Sequence, residues 1–452
     1  MNLHELSSRR AESSAGPIKV GVIGAGKFAS MYLTQAVASP EVHVVGVVDL
    51  DVDKARSALA RTGWVAERIA AASFTEAMAS GGTHVGESAE ELIATPGLEV
   101  VLEITGHPLA GVRHAEAAIA AGCHVVMVNV EADCLVGPLL AERARAAGVV
   151  YSMAYGDQPA LISELVDWCR TTGFDVVAAG KGTKYLPEYE TSTPDTVWEH
   201  YGFTEAQLAG GDFNPKMFNS FLDGTKSAIE MAAVANVTGL VPQSGGLRFP
   251  PVGVDDLPTV LRPRSTGGDL DDAGTVEVVS SIARDGSEVR RDLRWGVYVT
   301  FQARTDYAAR CFAEYGMRTD PSGRYAAMYR PYHLIGLELG VSVASAVLRG
   351  EATGAARAFR GDVVAVAKRG LRAGERLDGE GGYTVRGALT PAAGSLAQRA
   401  LPIGLAAGVA LRADVAAGAV LTYDDVDLDE TAPAVRLRRQ LEASQLSGAG
   451  SS

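Results

Sequence analysis

The chain has 33 arginines and only 8 lysines, yet four of those lysines, Lys181, Lys184, Lys216 and Lys226, fall within one tenth of its length. A lysine ammonium is a compact donor whose pKa moves on burial, which suits it to anion binding and to proton transfer. Lys226 follows Asp223 by three residues and precedes Glu230 by four, a spacing that puts all three on one face of a helix. The other residues around them are mostly Ala, Met, Ile and Val. If that charged face turns into a cleft, desolvation and opposed charges tune a lysine or a carboxylate for proton transfer. Turned to water, the same triplet is a solvated ion-pair stripe.

Those side chains need elements to hold them. The pattern predicts a strand over Asp175 to Gly180 that delivers Lys181, Lys184 and Tyr185 at its end, and one long helix from Pro215 to Val237. Gly224 interrupts the propensity of that helix at about 1 kcal/mol relative to alanine, which suggests close approach of another group there. Leu186 to Asp212 is long for a plain connection and reads as a lid over a substrate. Two long strands, Thr275 to Ala283 and Glu288 to Arg304, are predicted to pair through Asp285-Gly286, a strong hairpin signal. A helix from Pro331 to Leu348 follows, and near its start Arg318, Arg330 and His333 are candidates for holding an anion.

The N-terminal region carries a different pattern. Ile18 to Ile23 is a short apolar run, followed by Gly24-Ala25-Gly26-Lys27-Phe28-Ala29 and then helical spacing. This strand, turn and helix match the dinucleotide fingerprint, in which the first glycine makes the turn, the second admits a pyrophosphate and the small third residue lets helix and strand pack. A second buried strand, Val42 to Val48, ends on Asp49, placed to bind a ribose hydroxyl. Further β and α segments to about Tyr155 predict a doubly wound parallel sheet. Thr105, Gly106, His107, Asn129 and Glu131 then stand at the carboxyl ends of its strands, where such folds bind ligands.

The chain is therefore expected to be α/β: a Rossmann domain over 17–155, an α+β substrate domain over 156–358 that also mediates dimerisation, and a small β domain over 359–430. Residues 1–16 are expected to form a mobile arm, and 431–452 a tail with a polar, frayed helix.

Formal net charge −13 and the lack of a basic block argue against nucleic acid and anionic membranes as partners. No run is long enough to cross a bilayer and no basic-then-apolar leader is present. Four cysteines without C-x-x-C spacing fit reduced thiols in the cytoplasm. The histidines offer no H-x-x-x-H zinc pair.

On Val126-Met-Val-Asn-Val-Glu-Ala132, Gly156-Asp-Gln-Pro-Ala160, Ala179-Gly-Lys-Gly-Thr-Lys-Tyr-Leu-Pro187, Asn214-Pro-Lys-Met-Phe-Asn-Ser-Phe-Leu-Asp-Gly-Thr-Lys226 and Arg330-Pro-Tyr-His-Leu-Ile-Gly-Leu337, the chain resembles homoserine-dehydrogenase-like NAD(P)-dependent oxidoreductases. Gly379-Glu-Gly-Gly-Tyr383 and Leu401-Pro-Ile-Gly-Leu405 extend the likeness to their C-terminal SAF (β-clip) domain. Within that group it is most similar to the deoxyxylulose phosphate reductoisomerase-like enzymes. Asn129-Val130 departs from the asparagine-lysine pair of true homoserine dehydrogenases, which argues against homoserine reduction.

The resemblance implies reduction of a small phosphorylated sugar or polyol-like carbonyl compound, in its specific form the reductive isomerisation of 1-deoxy-D-xylulose 5-phosphate to 2-C-methyl-D-erythritol 4-phosphate. Lys226 is then the general acid/base, with Asp223 and Glu230 orienting it or holding a divalent metal. Lys181, Lys184 and Lys216 bind phosphate or an oxyanion, Lys184 within the catalytic group. Asn214, Asn219 and Tyr185 contact substrate, and a homo-oligomer is expected. Asp49 favours NAD(H), whereas the resemblance favours NADP(H), with Lys54 and Arg56 available to offset a 2′-phosphate; NADP(H) is the expected cofactor. Two readings stand beside this one: a dehydrogenase of a different small substrate, and a non-catalytic dinucleotide-binding sensor or scaffold.

Overall fold

The computed structural model describes residues 2–209 and 213–449, which form two compact units. Met1–Leu161, Leu334–Arg357 and Leu437–Leu441 make the first. Ile162–His333, Ala358–Arg436 and Glu442–Ser452 make the second.

The first unit is built on six strands, β1 (Ile18–Ile23), β2 (Val42–Val48), β3 (His84–Gly86), β4 (Val100–Glu103), β5 (His124–Met127) and β6 (Tyr151–Met153). All pair in parallel in the order β3-β2-β1-β4-β5-β6. This is the doubly wound order, and its direction reverses between β1 and β4. The sheet is covered on both faces, which is why β1 and β2 read as nearly continuous apolar runs, interrupted only by Lys19 and His43. Leu339 and Val343, from the helix Gly340–Arg349 and the turn before it, join the same core.

Three expectations about this unit need correcting. The N-terminal arm is a helix, Leu3–Ala11, tied down because Arg10 donates to both oxygens of Glu99 at 2.8 Å while Glu99 also accepts from Lys19 N. The helix expected from Pro331 begins only at Gly340. Gly336 explains the delay: its φ is +81°, and a Cβ there would meet Phe28 O and Met31 Cβ at 2.7 Å. The C-terminal segment, expected as a polar helix, is the helix Pro433–Ala449 with a buried face, and positions 450–452 of its expected frayed end lie outside the described residues. Leu437, Leu441 and the fully buried Arg438 point inward, and Arg438 donates to Leu135 O.

The second unit holds a mixed sheet of β7 (Asp175–Thr183), β8 (Val241–Pro242), β9 (Thr275–Ser280), β10 (Val297–Gln302) and β11 (Tyr325–Arg330), ordered β11-β10-β7-β9-β8. The hairpin expectation fails at long range, because β7 lies between β9 and β10. A short hairpin survives at Asp285-Gly286, with Ala283 N donating to Ser287 O, Val289 N to Ser281 O, and one antiparallel bridge between Ile282 and Glu288. The strand carrying the lysines is longer than expected and includes Lys181. Gly180 and Gly182 permit this, since a Cβ on either would collide with the carbonyl of Glu277 or of Leu293.

The single long helix is also overturned. Two helices, Pro215–Leu222 and Thr225–Thr238, meet at Asp223-Gly224, and Gly224 takes a left-handed φ of +86°. Such a conformation is open to glycine at little cost, so Gly224 marks a break between helices rather than a weak point inside one.

The β module has a hairpin of β12 (Gly361–Ala367) and β13 (Val385–Pro391). Isolated bridges, including Val366 to Val420, Leu371 to Val415 and Arg376 to Ala410, complete it. It is joined to the helix Thr225–Thr238 by hydrogen bonds from Gly387 N to Thr225 Oγ1 and from Asn236 Nδ2 to Gly361 O. Its Lys368, 8% exposed, donates from Nζ to Ser192 O at 2.7 Å and Gly382 O at 2.8 Å, and meets Asp223 Oδ2 at 2.7 Å.

Removing one partner of a buried ion pair strands the other charge. Replacing Lys368 by Met is therefore expected to destabilise the chain by about 3–5 kcal/mol, and adding Asp223→Asn should recover part of the loss; urea denaturation of the single and double variants measures both.

Candidate functional site

The carboxyl edge of the six-stranded sheet carries the first group of predicted residues. Gly24 turns the chain with φ +101°, and a Cβ there would lie 3.0 Å from the Ile104 carbonyl group, so the turn is tight against β4. Gly26 begins the helix Lys27–Ala36 without a capping side chain, and nothing lies within 4 Å of where its Cβ would be. An uncapped helix N-terminus with open space at its glycine is a ready site for a dinucleotide's phosphates. Ala29 is buried, as close helix–strand packing requires, whereas Lys27 is exposed and Phe28 half-buried.

Asp49 is drawn into this turn. Its carboxylate accepts from Ala25 N at 2.7 Å and from Asp51 N at 3.1 Å, and Lys54 Nζ stands 3.7 Å from it. Arg56 is exposed. Asn129 is buried, caps the helix Val130–Ala146 by accepting from Ala132 N, and donates from Nδ2 to Thr105 Oγ1 and His107 O. Thr105 donates onward to the fully buried Glu103, which His114 also contacts. Thr105, Gly106 and His107 are exposed at the strand end, and Glu131 is half-buried at the first turn of the Asn129-capped helix.

In the second unit the structure pairs residues differently from the expected triplet. Lys181, 4% exposed, forms an ion pair with Glu230, 3% exposed, on the helix Thr225–Thr238. Lys226 is half-buried one turn before Glu230 on that helix. Asp223 does not share their face, because the break at Gly224 takes it out of the helix. It is fully buried against Lys368 and accepts from Thr225 N. Burial is the largest influence on the Asp223 carboxyl and raises its pKa, with Lys368 opposing the rise. Glu230 and Asp223 are each occupied by a lysine, so neither fits the expected role of metal ligand. Among the described residues no group of three or more His, Cys, Asp or Glu is placed to hold a metal.

The remaining lysines separate. Lys216, expected to bind phosphate or an oxyanion, is exposed and donates to Asp378 O in the β module. Lys184 donates to His200 O, and its Nζ lies 5.8 Å from the centre of the Tyr201 ring. Its pKa is lowered, first by burial and then by Arg294.

Asn219 is fully buried and bonded to Ser192 and Gly381, and Asn214 caps the helix Pro215–Leu222. These partners account for both asparagines without a substrate. Tyr185 is buried, donates to Glu190, and stacks on Phe249 with ring centres 3.8 Å apart. Burial raises its pKa further than the Glu190 bond does.

Arg318 is exposed and paired with Asp255. Arg330 shares a register row with Val297 and Lys181; residues directly opposite across strands face the same side, which puts Arg330 two strands, about 10 Å, from Lys181. His333 Nδ1 bonds Trp295 O.

The expected lid segment contains the short helix Val197–Tyr201. Trp198, Tyr201, Phe203, Phe213 and Phe218 pack there, with ring centres 5.2 to 6.1 Å apart. Positions 210–212 of that expectation lie outside the described residues.

Sequence reasoning missed Lys368, Arg294, Tyr201 and Phe249. For Lys368 a signal existed, since the scarcity of lysine applied to it as well. Phe249 has φ +50°, an uncommon conformation for a bulky residue, and nothing in its local sequence announces it.

Residues 18–127 match the family described as "Oxidoreductase family, NAD-binding Rossmann fold". Residues 156–339 match "Oxidoreductase DRL, catalytic domain", and residues 362–427 match "SAF domain". No curated protein matches the chain significantly.

Among solved structures, KijD10, a 3-ketoreductase from Actinomadura kijaniata in complex with TDP-benzene and NADP, is 17% identical over 38% of this chain and 49% of its own, with TM-score 0.27. The match thus spans about half the length of that ketoreductase. The putative oxidoreductase yvaA from Bacillus subtilis is 13% identical over 74% of this chain and 89% of its own, with TM-score 0.35. A myo-inositol dehydrogenase from Corynebacterium glutamicum is 12% identical over 40% of this chain and 48% of its own, with TM-score 0.27.

Because the φ of Gly26 is −75°, any residue can adopt its backbone. Gly26→Val is expected to leave the unliganded melting temperature unchanged and to weaken dinucleotide binding by at least about tenfold, or 1.4 kcal/mol, because the side chain fills the space left for phosphates. Thermal shift with and without NAD(P) checks this.

Proposed function

From a chain that joins an oxidoreductase-family NAD-binding Rossmann domain, a DRL-type oxidoreductase catalytic domain and a SAF domain, we propose an NAD(P)H-dependent reductase of a small phosphorylated sugar or polyol-like carbonyl compound. The observation that carries this reading is the buried Lys181–Glu230 pair, one helical turn from Lys226 and within the residues that match the catalytic domain. Fixed charges and dipoles held beside a reacting centre are the usual source of transition-state stabilisation.

Bound at the Gly24–Ala29 turn, the reduced dinucleotide supplies the hydride. Asp49 orients the ribose, and Asn129, held by Thr105 and His107, keeps the far strand end in place. Lys226 donates a proton to the carbonyl oxygen as it becomes an alcohol. Glu230, neutralised by Lys181, fixes the helix on which Lys226 rides and adds a fixed dipole beside the developing oxyanion.

The finer reading is reductive isomerisation of 1-deoxy-D-xylulose 5-phosphate. That reaction needs two neighbouring oxygens polarised before hydride arrives, and lysine ammonium groups are the cations this site offers for it. NADP(H) remains the preferred cofactor, because Lys54 and two backbone N–H groups already offset the Asp49 charge that would repel a 2′-phosphate.

Lys226→Met is expected to reduce turnover of a phosphorylated carbonyl substrate by roughly 10²–10⁴-fold while NADPH binding stays intact; turnover within threefold of wild type (about 0.7 kcal/mol) removes Lys226 from its role. Lys54→Met is expected to lower the NADPH-to-NADH affinity ratio by about fivefold, or ~1 kcal/mol, measured by fluorescence titration of each cofactor.

A further inference from the structure

Most buried or half-buried cations of the second unit have an acid beside them. Lys181 has Glu230, Lys368 has Asp223, Arg262 has Asp320, Arg248 has Asp271 and Arg386 has Glu190. Lys184 and Arg294 break this rule. Arg294 lies in the turn Leu293–Gly296, which presses on the end of β7 so closely that only glycine fits at 182, and Gly182 N donates to Gly296 O.

From that turn the Arg294 guanidinium reaches 5.9 Å from the centre of the Tyr201 ring and 4.9 Å from that of Trp295. Lys184 Nζ stands 5.8 Å from the same Tyr201 ring. Among the described residues neither cation has a carboxylate at ion-pairing distance, the one hydrogen bond of Lys184 Nζ goes to a backbone carbonyl, and the Tyr201 hydroxyl makes no hydrogen bond. In a chain whose acids outnumber its bases 54 to 41, two neighbouring half-buried cations are left without a counter-charge.

We propose that Lys184, Arg294 and the Tyr201 hydroxyl form an anion subsite that holds the phosphate monoester of the substrate. The guanidinium fork and the remaining ammonium hydrogens offer charge-assisted donors to phosphate oxygens, the Tyr201 hydroxyl adds a neutral donor, and the aromatic packing around Tyr201 keeps bulk water from screening them. Like charges held together in a half-buried site repel one another until an anion arrives, and the pKa of Lys184 is lowered by burial first and by Arg294 second. The inference rests on reading this domain as the one that binds substrate. Of the three lysines expected to bind phosphate it keeps Lys184, adds Arg294, and leaves Lys181 and Lys216 to their protein partners.

The test uses the full chain saturated with NADP⁺, so that the dinucleotide's own phosphate site is filled, and follows the Trp fluorescence change on titration with inorganic phosphate and, separately, with succinate. Wild type should bind phosphate in preference to succinate. Arg294→Met and Lys184→Met should each weaken phosphate binding by about tenfold, while the exposed Arg372→Met in the SAF domain should match wild type. Circular dichroism and melting temperature establish that the variants fold.

Phosphate binding unchanged in both variants, no phosphate binding by wild type, or equal affinity for succinate would each overturn the subsite. If NADPH-dependent turnover is found and neither substitution affects it, the subsite is wrong and the oxidoreductase reading stands. If the variants lose phosphate binding although the chain oxidises NADPH with no carbonyl compound, the subsite holds and that reading falls.

Discussion

Burying Lys181 and Glu230 is the constraint to which the second unit answers. Taking two charges out of water costs several kcal/mol per ion, and the cost is met only when their geometry is fixed. Lys181 is set by the sheet, where Gly180 and Gly182 let the neighbouring chains close on β7. Glu230 must therefore be brought to it, and the whole helix Thr225–Thr238, buried along nearly its full length, is seated accordingly. The left-handed Gly224 starts that helix at the required place, and Asp223, pinned by Lys368, anchors its entry. A solvated helix would not need two buried lysine–carboxylate contacts on neighbouring stretches.

This arrangement divides the lysines by task. Lys181 and Lys368 are committed to protein carboxylates, and Lys216 to a carbonyl of the SAF domain. Lys226 stays half-buried beside the Lys181–Glu230 pair, and Lys184 shares the Tyr201 ring with Arg294. The SAF domain is then more than an appendage. Lys368, steadied by Gly382 O, holds Ser192 and Asp223, and Gly381 O accepts from Asn219, so the segment that follows β7 and the break before the helix Thr225–Thr238 are tied to one another through it.

The first unit was the more legible from sequence because its signals are local. Parallel strands buried on both faces leave continuous apolar runs, and the Gly24–Gly26 turn carries its requirements within six residues. In the structure Ser88, Asn129 and Asp51 cap the helices Ala89–Ile93, Val130–Ala146 and Val52–Arg61 with their own side-chain oxygens. What failed depended on distant partners. The helix spacing that grouped Asp223 with Lys226 and Glu230 could not register a left-handed glycine between them, and it offered no sign of Lys368, 145 residues beyond Asp223. The Asp285-Gly286 signal correctly marked a bend, but β7 separates the strands it was expected to join. Arg294 was invisible for the same reason, since its position depends on a turn packing over Gly182. Composition singled out the lysines between 181 and 226, and the fold shows that Lys181 and Lys216 are held by Glu230 and by Asp378 O.

The central claim is that the chain carries hydride from a reduced dinucleotide to a phosphorylated carbonyl compound. The most direct measurement follows loss of reduced-nicotinamide absorbance when the full chain and NADPH meet a panel of phosphorylated ketoses and aldehydes, each beside its unphosphorylated counterpart. The account predicts oxidation with at least one phosphorylated member and little or none with its counterpart. Oxidation by the unphosphorylated compounds alone, or by no member of a broad panel with either NADPH or NADH, would contradict it.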